Sequence, residues 1–120
     1  MTEHTIALVV DDDPTVAGVA ARVLGMLFDQ VIVASTPAEA EILLGSHRVT
    51  HLLCDYDLGQ SQPTGAELIP QWRAAYPYIA QAVLFSGSQA EEIDLPAEVD
   101  RLLGKPATMD ELLGAFEVRV

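Results

Sequence analysis

Five short apolar runs, each about a strand in length, constrain this chain more than any other feature. They cover residues 5–10, 31–34, 51–55, 81–86 and 100–104, and segments with helical apolar spacing lie between them. Such alternation favours βαβ units and a parallel sheet. Right-handed crossovers would place helices on both of its faces. The expected fold is α/β: a doubly wound, five-stranded parallel sheet of order 2-1-3-4-5, with strands one and three adjacent at the switch point.

The helix signals agree with that frame. Asp13 and Pro14 read as an N-cap acid followed by proline at the first helical position. Val16, Val19, Ala20, Val23, Leu24 and Leu27 follow at helical spacing. Thr36 with Glu39, Thr64 with Glu67 and Thr108 with Glu111 each have capping-box spacing. In the second helix Ala40, Leu43 and Leu44 should face inward, and Gly45 suits its end. Leu68, Ile69, Trp72 and Ala75 form the expected inner face of the third, and Leu112, Leu113 and Phe116 that of the last. Pro70 is expected early enough in its helix for the missing N–H to cost little. Between Ser88 and Val99 the pattern weakens and Pro96 interrupts it, so only a short or distorted helix is expected there.

A chain of 120 residues suits one domain, 1–120, with no separate output domain. Half of its residues are hydrophobic, as in a globular core. No apolar stretch is long enough to span a bilayer, and the N-terminus lacks the basic region of a secretory signal. A cytoplasmic location is expected. The single cysteine, Cys54, has no partner for an internal disulfide. With 18 acids against 6 bases the net charge is -12, and the arginines are scattered, which argues against nucleic acid as a partner. The histidines lack metal-ligand spacing, and no glycine-rich phosphate loop is present.

The chemistry sits where the runs stop. The first ends in Asp11, Asp12 and Asp13, the third in Asp55, the fourth in Ser86, and the fifth in Lys105, the only lysine. Strand ends in a parallel sheet point into one crevice. Converging carboxylates raise one another's pKa or recruit a cation, and hard oxygen ligands with room for water suit magnesium, or manganese in its place. Asp13 reads as a helix cap only. Asp55 can serve as a nucleophile toward phosphorus, while Asp57 is better placed to offer its backbone carbonyl than its side chain. The Ser86 hydroxyl could bond a phosphoryl oxygen, with Gly87 leaving space beside it. Lys105 supplies a compact positive charge suited to phosphate. The Lys105-Pro106 bond is a candidate cis peptide.

Taken in order, these segments resemble the receiver domain of two-component response regulators, a flavodoxin-like fold, over nearly the whole length. Val10-Asp11-Asp12 resembles the family's acidic pair, Cys54-Asp55-Tyr56-Asp57 its phosphoacceptor segment, Phe85-Ser86-Gly87 its switch hydroxyl, and Gly104-Lys105-Pro106 its lysine-proline motif. The resemblance implies that Asp55 takes a phosphoryl group from a histidine of a sensor kinase or phosphotransfer protein. Asp11, Asp12, Asp55 and the Asp57 carbonyl would hold the magnesium, and Ser86 and Lys105 the phosphoryl oxygens. A signal would then pass by conformational change to a downstream protein; a homodimer is left open. Three departures stand out. Leu102 replaces a switching aromatic, the loop from Gly59 to Thr64 is about two residues longer than usual, and the stretch from Ser86 to Lys105 is short. They imply switching without an aromatic rotamer at position 102. Two other readings remain: a haloacid-dehalogenase-like phosphatase, whose Asp-x-Asp would be Asp55 and Asp57, and a receiver-like interaction module that is never phosphorylated.

Overall fold

A computed structural model describes residues 4–87 and 94–116. Each apolar run forms a strand: β1 (Ile6–Val10), β2 (Gln30–Ala34), β3 (His51–Asp55), β4 (Gln81–Ser86) and β5 (Arg101–Gly104). All pair in parallel in the order β2-β1-β3-β4-β5, as the sequence predicts. Every residue of β1 and β3 is buried, whereas β2 and β5, at the edges, are partly exposed. Central parallel strands are covered on both faces, so they read as unbroken apolar runs.

The pleat divides these residues between two cores. Leu8, Val10, Leu52, Cys54 and Leu84 face one side, packed under α2 (Pro37–Ser46) and α3 (Gly65–Ala75). Ala7, Val9, Leu53, Val83 and Phe85 face the other, packed under α1 (Pro14–Leu24) and α4 (Met109–Gly114). Trp72 of α3 is the large buried aromatic of the first core, and Phe28, Phe85 and Phe116 are those of the second.

The caps form as the spacing requires, with one variation. Asp13 accepts from the N–H groups of Thr15 and Val16, with Pro14 next in line. Thr64–Glu67 and Thr108–Glu111 are complete reciprocal boxes. At the second helix Thr36 accepts from the Glu39 N–H, but the Glu39 carboxylate reaches one residue further back, to the Ser35 N–H.

Several expectations need correction. Pro70 is the sixth residue of α3, not part of its first turn, so the Ala66 carbonyl loses a helical donor. Gly45 lies inside α2, which runs on to Ser46 and is capped by His47. Val19 and Ala75 are exposed, and Ala17 takes a buried place on α1. The helix expected between Ser88 and Val99 falls partly on residues 88–93, outside the described ones. From 94 to 99 the chain forms no helix, only a turn in which the Val99 N–H donates to the Pro96 carbonyl at 3.1 Å.

A guanidinium clip fixes this non-helical approach to β5. Arg73, on α3, donates to Asp100 Oδ2 at 2.7 Å, to the Glu98 carbonyl at 2.9 Å and to the Ala80 carbonyl at 3.1 Å. Asp100 Oδ2 in turn accepts from the Ala82 N–H at 2.8 Å. One cation thus joins α3 to the starts of β4 and β5. Arg73→Met keeps most of the apolar stem and strands these acceptors, so it should cost about 1–2 kcal/mol. Urea unfolding checks this; an unchanged midpoint would show the clip to be dispensable.

Candidate functional site

Register alone brings the functional residues together. Val10 pairs with Cys54, so Asp11 and Asp55 leave adjacent strands side by side. Asp55 pairs with Phe85, and Ser86 with Gly104, so Ser86 and Lys105 complete the row. The strand ends enclose an open cavity of about 360 Å³. Asp11, Asp12, Asp55, Asp57, Ser86 and Lys105 all line it, together with Asp13, Tyr56 and Gly87. Pro106 follows Lys105 through a cis peptide bond. It lines a neighbouring apolar cavity instead, and Leu102 lies half-buried on β5 against the α2–α3 core.

Asp11, Asp12 and Asp55 each offer an oxygen within 4.8 Å of the others. Asp11 and Asp55 are buried and Asp12 is exposed, so the cluster has a closed floor and an open rim. The Lys105 Nζ sits between the two buried acids, 3.0 Å from Asp11 Oδ2 and 3.1 Å from Asp55 Oδ1. Asp11 Oδ1 also accepts from the Asp13 N–H at 2.9 Å. The Asp57 carboxylate turns into its own loop and accepts from the Gly59 N–H at 3.1 Å. Ser86 is buried, and its carbonyl accepts from the Lys105 N–H at 2.7 Å, which fixes both residues.

The electrostatics follow from burial and charge count. Burial and then the nearby Asp11 charge push the Asp55 carboxyl up to about 6, against the pull of Lys105. Burial works against the Lys105 charge, but its bonds to Asp11 and Asp55 outweigh this and hold the ammonium above the usual lysine range. Burial, reinforced by Asp55 and Asp11, drives the Cys54 thiol far up, so Cys54 is an inert core residue. Three carboxylates and one ammonium leave the cluster net negative. Hard oxygens around such a deficit fit a divalent cation such as magnesium.

Three features of the site escaped the sequence reading. Lys105 pairs with Asp11 as well as Asp55. Gly65, read only as part of a capping box, lies directly against the Asp55 backbone. Phe85, quoted in the motif but given no role, lies under the Lys105 ammonium. Chain separation hides the first, and glycine and phenylalanine have innocent readings in a helix start and a strand. Remote from this site, His51 is buried in a three-ring cluster with Phe28 and Phe116. It packs as a core residue at the start of β3.

No family profile matches the sequence, and no curated protein matches it. Solved structures do. A signal receiver domain of an HD-domain-containing protein from Pseudomonas fluorescens Pf-5 is 25% identical, with a TM-score of 0.81 over 96% of this chain and 85% of that one. A CheY-like response regulator receiver domain from Methylobacillus flagellatus is 24% identical, with a TM-score of 0.76 over 92% of this chain and 93% of that one. A response regulator from Burkholderia pseudomallei, solved with a phosphorylated aspartic acid, a calcium ion and citrate, is 25% identical, with a TM-score of 0.75 over 94% of this chain and 66% of that one. The fold is that of a response regulator receiver domain. The flavodoxin-like order expected from the sequence and the resemblance to receivers both hold. Among the described residues no helix is long and apolar enough to cross a membrane.

Proposed function

We propose that this domain accepts a phosphoryl group on Asp55 and signals by the change that follows, in the manner of a two-component or phosphorelay receiver. One observation carries the reading: a buried carboxylate, Asp55, lies 3.1 Å from an ammonium and within 4.8 Å of the oxygens of two further acids. Asp11, Asp12, Asp55 and the Asp57 carbonyl are the groups that would hold a divalent cation, magnesium by preference. When bound, such an ion offsets the charge that phosphoryl transfer concentrates at the acceptor. An Asp55 oxygen attacks phosphorus as the P–N bond of a phosphohistidine breaks. The imidazole leaves with the electron pair and takes a proton from solvent. Lys105 and the Ser86 hydroxyl receive the phosphoryl oxygens, a task of fixed positive charge and fixed donors. The related Burkholderia pseudomallei structure holds both a phosphorylated aspartic acid and a calcium ion, which supports pairing the two on this fold.

The proposed donor is a sensor histidine kinase or a histidine phosphotransfer protein, and the setting is the cytoplasm. The domain is a signalling element and not a turnover enzyme. The phosphatase reading is disfavoured by topology: Asp55 ends the third strand and Asp57 lies just after it, whereas the acidic pair follows the first. Incubation with acetyl phosphate decides between them. There the attack breaks the bond from phosphorus to the acetyl oxygen, and acetate leaves. The expected result is about one acid-labile phosphoryl group per chain, dependent on magnesium. Sustained turnover of p-nitrophenyl phosphate would favour the phosphatase, and no labelling at all would favour the idle interaction module.

A further inference from the structure

The path of Lys105 across the sheet gives Phe85 a task that packing does not require. Asp55 and Phe85 are paired neighbours on β3 and β4, and Phe85 and Leu103 on β4 and β5. Leu53, Phe85 and Leu103 lie on the α1–α4 side of the sheet. Lys105 is two residues beyond Leu103, so its side chain must pass over Phe85 to reach Asp55. It does so: Nζ lies 4.9 Å from the centre of the Phe85 ring while bonded to both acids. Phe85 is itself buried, fixed below by the second core, and its backbone carbonyl accepts from the Tyr56 N–H at 2.9 Å.

We propose that Phe85 is a positioning residue for phosphoryl transfer, its ring face holding the Lys105 ammonium over the acceptor when the two carboxylates turn to other partners. This rests on the phosphoacceptor reading above. An ammonium has three N–H bonds, and Asp11 and Asp55 take up two directions here. During transfer Asp55 forms its bond to phosphorus and loses negative charge, and Asp11 is called on by the cation. Both hydrogen-bond acceptors of Lys105 weaken at the moment when its charge is needed at the phosphoryl oxygens. The electron-rich ring face neither titrates nor ligates metal, so its attraction persists. Without it a long, flexible side chain with one face to the open cavity would spend part of its time in solvent. A leucine at position 85 would keep the site apolar, with some loss of packing, but only an aromatic ring offers the ammonium a face.

The test replaces Phe85 with a series of ring-fluorinated phenylalanines, which keep the shape and progressively remove the negative face. Phe85→Leu provides the limiting case. Labelling by acetyl phosphate is followed at saturating magnesium. The limiting rate should fall stepwise with fluorine number, to about tenfold slower in the trifluoro and leucine variants, at unchanged unfolding midpoints in the fluorinated series. The magnesium concentration for half-maximal labelling should not move. A flat series, or a loss that tracks stability or magnesium affinity instead of ring charge, would overturn the assignment of Phe85 and leave the acceptor reading intact. If the unmodified chain takes no label, both fall together.

Discussion

Asp55→Asn should abolish labelling by acetyl phosphate and, without divalent cation, make the domain more stable at pH 8. The first effect follows from the loss of the attacking oxyanion. The second follows from the position of Asp55 in the fold. Its carboxyl is pushed from an ordinary value of 3.8 up to about 6, chiefly by burial and then by Asp11. A folded-state value above the unfolded one means that the fold favours the protonated acid. That contribution is complete below about 3.8 and is lost as pH rises through about 6. At pH 8 the wild type therefore carries a charge that its own fold disfavours, at a cost of about 1–3 kcal/mol. The amide keeps the shape and carries no such cost, although Lys105 is left with Asp11 alone. In urea unfolding the variant's advantage should be largest at pH 8 and shrink as pH falls through 6. Magnesium should narrow the gap at pH 8, because it binds the folded wild type better than the variant. Label persisting on the variant would move the acceptor elsewhere, and an advantage independent of pH would show that burial of the Asp55 charge is not the cause.

The parts legible in sequence were those set by local rules and by the counting of strands. Pleat and cap spacing gave β1 to β5 and the starts of α1 to α4, because Asp13, Thr36, Thr64 and Thr108 cap by contacts within three residues. Parallel order then forced Asp11 beside Asp55, since a crossover fold leaves few places for a strand end. The misreadings were failures of a different kind. The sequence places Trp72 on α3 beyond Pro70 correctly, but not Pro70 itself, which stands sixth in the helix; packing of Trp72 and Ile69 in the core outweighs its missing hydrogen bond. The absence of helix at 94–99 is matched by Arg73, whose clip joins residues about 25 apart in the chain and has no local signature. The same is true of Lys105 with Asp11, separated by 94 positions. Motif order placed the charges in one crevice, but only coordinates show that the lysine sits between the two buried acids and above an aromatic ring.

Gly65→Ala should be the most damaging single-methyl change near the site, through space and not through backbone conformation. A Cβ at position 65 would run into the Asp55 carbonyl oxygen, and would lie 3.1 Å from the Asp55 carbonyl carbon and 2.8 Å from Leu84 Cδ1. Two of the three obstacles are backbone, which cannot turn aside as a side-chain end can. The helix cannot easily retreat either. The Gly65 N–H donates to the Tyr56 carbonyl at 2.9 Å, and the Thr64–Glu67 box fixes the first turn. The methyl must push α3 off β3 or lift Asp55 from its place. Overpacking of this kind costs about 3 kcal/mol at the upper end of its usual range, and alanine's better helix propensity returns at most about 1 kcal/mol. The expected result is a lower urea midpoint together with slower labelling, because a shift of about 1 Å at a reacting group can cost about a hundredfold in rate. Gly45→Ala is the control: it lies within α2 with nothing inside 4 Å of the added carbon, so it should leave labelling unchanged and raise stability slightly. If Gly65→Ala behaved like the control, α3 would have room to move away from the acceptor strand, and the close seating of that helix would not be what holds Asp55 beneath Lys105.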